Sequence, residues 1–244
     1  MSALESGALG QSTGVATWAA TGRAGGTSVG AYESLNLAEY VGDDDLAVAE
    51  NRRRTAGLVG LGSTDLAVMG AVHGADVALV SEGGPVVGVD AMVTTSRGIA
   101  LLALAADCVP LVLADPVAGV IAAVHCGWRG LGAGVVAATV GLMRGVGASD
   151  LEAVIGPAIC ADCYPVPRER TDTLRGMLPS EVSDLACLER GDQSFIDVRA
   201  GVTAQLENLG VRPRQLAICT HESADLFSYR RDTVTGRQGM IIRQ

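Results

Sequence analysis

The chain has 244 residues, 48% of them hydrophobic and 18% charged, with 27 acidic against 18 basic residues and a net charge of −9. This composition excludes disorder and reads as one large domain, 1–244, with a substantial core, while the negative charge argues against nucleic acid as a partner. Every basic residue is arginine, which excludes a Schiff-base lysine and a phosphate loop closed by Gly-Lys-Ser/Thr.

Residues 14–20 read as a first strand, and the Gly- and hydroxyl-rich segment 22–37 reads as a binding loop or covering flap. Asp43 to Asp45 offer N-caps for a helix running to about Leu61, with an apolar stripe of Leu46, Val48, Ala49, Ala56 and Leu58. Between Leu66 and Val80 two short β-type runs flank His73 and Gly74, and a Gly-Gly-Pro turn at 83–85 precedes DAMVTT at 90–95. From Gly98 three apolar runs, punctuated by Pro110, Asp115-Pro116 and Gly119, read as buried strands. Asp107, Asp115 and the prolines interrupt them, so no membrane-spanning helix fits. No basic residue precedes Arg23, so no signal peptide is recognised and the chain is read as cytoplasmic.

Gly130 to Met143 has helical spacing at Val135, Val136, Val140 and Met143, and its glycines permit close packing on a sheet. The second half alternates strand 152–156, helix 167–177, helix 197–209, strand 215–219 and a closing strand at 239–243. Strands covered by helices imply a mixed α/β or α+β domain, and the hairpin-like spacing over 101–125 argues against a purely parallel sheet.

His73, Cys108 and His125 each stand at the polar end of an apolar run, followed by Gly74, Pro110 or Gly127, where the backbone turns. If the three converge, two imidazoles and a thiolate supply three ligands to a tetrahedral zinc and leave the fourth position open, as in catalytic rather than structural sites. Cys126, adjacent to His125 in an extended chain, points to the opposite face and is a poor fourth ligand. His221 fits a capping role, and the Cys160/Cys163 pair lacks a second pair and reads as coincidence.

SLN at 34–36, VGDD at 41–44 with ENR after it, VHGADV, DAMVTT, ADCVPLVLAD, HCGWRG, IGPAIC with CYPV, and SYRRDTVTGR resemble, in order, the motifs of the YfiH family. That family was long labelled laccase-like polyphenol oxidase and is now described as purine nucleoside phosphorylase. The resemblance implies an α+β fold with two mixed β-sheets packed face to face between helices. It also implies zinc on His73, Cys108 and His125, phosphorolysis of adenosine, inosine and S-methyl-5'-thioadenosine, and deamination of adenosine. Some bacterial relatives are instead assigned to editing peptidoglycan precursors. The chain departs from the family pattern at Ala71, where a glutamine is expected, and at Cys126, where a small residue is usual.

For deamination a carboxylate must move protons, and Asp107 is the candidate, with capping of its own turn as the alternative. Phosphorolysis needs an anion pocket. Arg129 is placed to bind phosphate or to hold the turn after His125. Ser34 and Asn36 are candidates for ribose or base contacts, and Arg230, Arg231 and Arg237 close the pocket or lie on the surface. Three histidines are too few for a blue copper plus a trinuclear cluster, so multicopper chemistry within one chain is excluded, although a His2Cys set also suits a single copper. A metal-free alternative makes Cys108 a nucleophile with His125 as its base, in a hydrolase acting on an amide such as a muropeptide bond. A binding module without turnover is the non-enzymatic alternative.

Overall fold

A computed structural model describes residues 3–11 and 14–244. The chain runs β1 (Glu5–Gln11), β2 (Gly14–Ala20), α1 (Asp45–Gly57), β3 (Leu66–Gly70), β4 (Val77–Leu79), β5 (Gly84–Val87), β6 (Ala91–Thr94), β7 (Ala100–Ala105), β8 (Val109–Asp115) and β9 (Val120–Cys126). It continues with α2 (Trp128–Ala133), α3 (Val135–Gly145), β10 (Glu152–Ile155), β11 (Pro165–Val166), α4 (Arg168–Met177), α5 (Ser180–Ala186), β12 (Cys187–Arg190) and β13 (Gln193–Ile196). Helix α6 (Val198–Asn208), β14 (Pro213–Gln215), α7 (Tyr229–Asp232) and β15 (Gln238–Arg243) complete it.

Two six-stranded mixed sheets, ordered β1-β2-β15-β7-β3-β5 and β14-β10-β8-β9-β6-β4, carry the fold, with a small β11-β13-β12 sheet beside them. Side chains alternate across each strand, so one strand feeds two layers of core. In β7, Leu101 and Ala103 meet Val112, Ile121 and Ala123 of the other sheet, whereas Ala100, Leu102 and Leu104 pack beneath α1 with Leu35, Leu37 and Ala56. In β9, Ala122, Val124 and Cys126 face α3 and α6 through Val136, Val140, Met143 and Val202. The order of layers is therefore helix, sheet, sheet, helix. Each fully buried Leu, Ile or Val contributes roughly 1.5–3 kcal/mol of transfer free energy, which is why the three apolar runs after Gly98 place their strands in the middle of the molecule.

Several expectations need correction. The segment 22–37 is no flap: Leu35, Leu37 and Ala38 are buried, and the Asn51 amide of α1 donates to Ser28 Oγ and to the carbonyls of Ser34 and Asn36. The buried face of α1 is Val48, Asn51, Thr55 and Ala56, while Leu46, expected on the apolar stripe, is 81% exposed. A polar face buried on hydrogen bonds leaves no hydrophobic period to read. The helix after Gly130 breaks at Gly134, whose φ of +84° ends α2 with its N–H on the Gly130 carbonyl, so α3 starts on a new axis. Strand β1, helix α5 and the β12-β13 hairpin had no counterpart in the sequence reading, and the strand expected at 215–219 is Pro213–Gln215.

Candidate metal centre and its cleft

Three strands release one chemical group each where they end. Strand β3 leads to His73, held at φ +63°; β7 leads through Asp107, φ +104°, to Cys108; and β9 carries His125 one residue before its end. Their ligand atoms lie within 4.8 Å of one another, and the two imidazoles stand edge to face with centroids 4.7 Å apart. Gly127 makes room for this: a Cβ there would sit 3.0 Å from Cys108 Sγ and 3.4 Å from His73 Cδ2. Two imidazoles and a thiol in one such cradle are a donor set suited to zinc, with exposed His73 marking the open side.

Asp90, fully buried immediately before β6, ties His73 and His125 together. Its Oδ1 accepts from the His73 N–H at 2.8 Å and lies 3.0 Å from His125 Nδ1, and its Oδ2 accepts from the Gly74 N–H at 2.6 Å. A carboxylate on Nδ1 leaves Nε2 as the ligand atom of His125. Burial pushes the Asp90 carboxyl up, but the bonds from His125, Gly74 and His73 outweigh it and hold the group below its usual range. Asp90 opens the DAMVTT motif, in which nothing announces this role.

Burial alone would also raise the Cys108 thiol, yet the neighbouring His125 and His73 bring it down to about 6. Burial would lower His125, but the Cys108 thiolate and Asp90 push it up to about 9. Without a metal the two form a thiolate and imidazolium pair at neutral pH. Cys126 faces the helix-covered core, where burial raises its thiol well above the ordinary value.

The three groups open on a cleft of about 620 Å³. Arg129, Arg170, Arg230 and Arg237 line it, with Tyr40, Tyr164, Tyr229 and Trp128, and Asp107 is its only carboxylate among the described residues. Among those residues none of the four arginines forms an ion pair with a carboxylate. They lie instead over rings: Arg129 and Arg170 on Trp128, Arg230 on Tyr164, Arg237 on Tyr229. Arg170 and Tyr40 had no sequence signal, whereas Tyr164 and Tyr229 stand inside CYPV and SYRR.

The structure does not bring Ser34 and Asn36 to the cleft. Ser34 Oγ accepts from the Gly26 N–H and donates to the Arg23 carbonyl; Asn36, fully buried, donates to Asp43 and to the Ala38 carbonyl and accepts from the Ala38 and Arg237 N–H groups. Arg231 is also absent from the lining, its guanidinium spent on four carbonyls of 220–226 and on Asp232. Asp107 reaches the cleft wall, but its carboxylate already accepts from Thr220 Oγ1, Ser228 Oγ and the Arg230 N–H, at 2.6, 2.7 and 2.6 Å. Those bonds favour the turn-holding role. His221 lies in a turn outside the cleft and caps no helix.

A family model described as multi-copper polyphenol oxidoreductase laccase matches residues 17–244. The chain belongs to this family. It is 48% identical over 223 residues to a protein of Streptomyces coelicolor named purine nucleoside phosphorylase, covering 89% of this chain and 90% of that one. It is 47% identical over 234 residues to a protein of the same name from Streptomyces griseus, covering 92% and 93%. The crystal structure of YlmD from Geobacillus stearothermophilus matches with a TM-score of 0.86 at 35% identity, covering 96% of this chain and 92% of that one. Bacillus licheniformis YfiH gives 0.88 at 28% identity, covering 93% and 92%. The face-to-face pair of mixed sheets is thus the fold of these relatives.

Proposed function

We propose that the chain is a zinc-dependent purine nucleoside phosphorylase that also deaminates adenosine. Its substrates would be adenosine, inosine or S-methyl-5'-thioadenosine with phosphate, and its products the free base and the sugar 1-phosphate. The observation that carries this reading is the His73, Cys108 and His125 cluster opening on a cleft of four arginines without carboxylate partners. The relatives' names point the same way.

In phosphorolysis a phosphate oxygen bonds to the sugar C1' as the C1'–N9 bond breaks and its electron pair leaves with the base. Arg129 and its three neighbours hold the phosphate, since guanidinium groups match its oxygens bidentately. The faces of Tyr164, Tyr229 and Trp128 receive the purine. Asp107 positions the Cys108 turn and the backbone of Arg230. His73, Cys108 and His125 would hold the zinc, which when bound would supply a Lewis acid to the cleft. Two imidazoles and one thiolate with an open side are the donor set of catalytic zinc sites, which is the ground for proposing zinc.

The test is incubation of metal-quantified protein with adenosine, with and without inorganic phosphate, and chromatography of the products. Adenine formed only with phosphate establishes phosphorolysis, and inosine in either case establishes deamination; absence of both refutes the proposal. Cys108→Ser and His125→Ala are each expected to lose the zinc of this centre and all turnover while keeping the fold, because a strand-end site contributes little core. Turnover by a verified zinc-free variant refutes the metal's role. The thiolate and imidazolium pair supports a second reading, a cysteine hydrolase acting on amides. Muropeptide cleavage by metal-free protein, abolished by iodoacetamide, would select it.

A further inference from the structure

The Cys160/Cys163 pair is not left without partners. Strand β10 leads into the loop holding Ala158 to Cys163, and the segment after β14 runs beside it through the Ala158 and Cys219 bridge. This parallel pass brings Cys219 and Glu222 against the pair, so that three sulfurs and a carboxylate oxygen all lie within 4.8 Å of one another. A 3-10 turn at Ala161–Cys163, with Cys160 as its N-cap, spaces the pair so that its two sulfurs lie within that distance of each other. The Cys160 N–H donates to Cys219 Sγ at 3.3 Å, and the N–H groups of His221 and Glu222 face the same sulfur. Cys163 Sγ stands 3.6 Å from Glu222 Oε1.

Burial in an apolar shell explains a single free cysteine, but not three cysteines and a carboxylate meeting from segments almost 60 residues apart. Beneath the cluster Arg199 donates to the Ala158 and Ile218 carbonyls, and its buried Nε has no acceptor. A guanidinium there offsets the negative charge that three thiolates and a carboxylate retain around a divalent ion.

We propose that Cys160, Cys163, Cys219 and Glu222 bind a second zinc ion, one closed by four protein ligands and therefore structural. Tetrahedral ligation at about 2.3 Å per sulfur brings sulfurs to about 3.7 Å of one another, a contraction that side-chain rotation supplies. The ion would clamp two segments that build the cleft: Ile159 lines it, and Thr220 donates to Asp107.

The test counts zinc in the reduced full-length protein by mass spectrometry of the metal. Two ions per chain are expected, falling to one in Cys108→Ser and to one in Cys160→Ser/Cys219→Ser. Cobalt substitution adds a signature: Cys108 is the sole thiol of the first centre, so a thiolate-to-cobalt charge-transfer band that persists in Cys108→Ser reports the second one. Should the double variant fail to fold, wild-type protein is alkylated with and without chelator, and protection of Cys160, Cys163 and Cys219 must vanish on chelation. A wild-type zinc content that Cys160→Ser/Cys219→Ser leaves unchanged, loss of the cobalt band in Cys108→Ser, equal alkylation in both arms, or a Cys160–Cys219 disulfide in the reduced preparation each overturns the proposal. None of these readouts depends on nucleoside turnover, so failure here leaves the proposed activity standing.

Discussion

Asp90 receives the backbone of the His73 turn on both oxygens and the His125 ring on one, so a single carboxylate sets the attitude of two ligands. Asp90→Asn keeps the shape but turns an N–H2 group toward donors. Zinc affinity is expected to fall by roughly 10- to 100-fold, measured by competition with a chromophoric chelator; unchanged affinity would mean that Asp90 only supports the turn. Protons compete with the metal as well. Cys108 lies near 6 and His125 near 9 in the metal-free pair, so between those values the thiol has already ionised while the imidazole still holds its proton. Metal uptake requires both deprotonated. This pair should therefore release about one proton per zinc near pH 7.5, two below pH 6 and none above pH 9, and affinity should rise with pH. Calorimetry on the Cys160→Ser/Cys219→Ser protein, in which only this centre takes up zinc, in buffers of different ionisation enthalpy reads the change of that number with pH; a release that does not fall as pH rises contradicts it.

At the scale of elements, the turn between β8 and β9 is built on Asp115, which is 1% exposed. Its Oδ1 accepts from the Val117 and Ala118 N–H groups and its Oδ2 from those of Ser149 and Asp150, so one side chain joins the hairpin to the loop after α3. Burial pushes the carboxyl up, but these donors outweigh it and hold it below its usual range. A carboxyl depressed in the folded state adds stability above its unfolded value, and that stability is lost as pH falls through the folded value. Stability from this group should thus be complete at neutral pH and decline below about pH 4. Asp115→Asn turns an amide toward the Ser149 and Asp150 donors and is expected to cost about 2 kcal/mol at pH 7, with the deficit shrinking in acid; a deficit independent of pH in denaturant melts would contradict the charge argument. The convergence of His73, Cys108 and His125 and the inner strands were legible because apolar runs ending in His or Cys announce strand ends. Asp90 was not, since its partners lie 16 and 35 positions away and only the pairing of β6 with β9 brings His125 beside it. The segment 22–37 misled because glycine and hydroxyl groups serve a flap and a packed loop equally well, and what decides between them is Asn51, a polar residue on a helix face that sequence reading had left unassigned. Cys219 escaped for the same reason as Asp90: its neighbours are set by the parallel pass of two distant segments.

Across the whole molecule, charge is divided unevenly. The chain carries −9 overall, yet the cleft gathers four arginines around one carboxylate that is itself committed to three donors. In the proposed reaction the outer field would repel an approaching phosphate and the inner one attract it, so capture would rest on short-range contacts inside a recess with low-dielectric walls. Arg129 extends from the first turn of α2, immediately after the Gly127 cradle, which makes it the arginine closest in sequence to the metal ligands. Losing its charge-assisted bonds would remove roughly 1.5–3 kcal/mol of the proposed phosphate binding, while Arg170, Arg230 and Arg237 remain in the lining. Arg129→Ala is therefore expected to raise the phosphate KM by about 10- to 100-fold and to leave adenosine deamination nearly intact, because that reaction uses no phosphate. Added salt should raise the wild-type phosphate KM more steeply than that of the variant, which has one charge fewer to screen. Proportional loss of both activities, together with an unchanged salt slope, would instead assign Arg129 to holding the turn between β9 and α2.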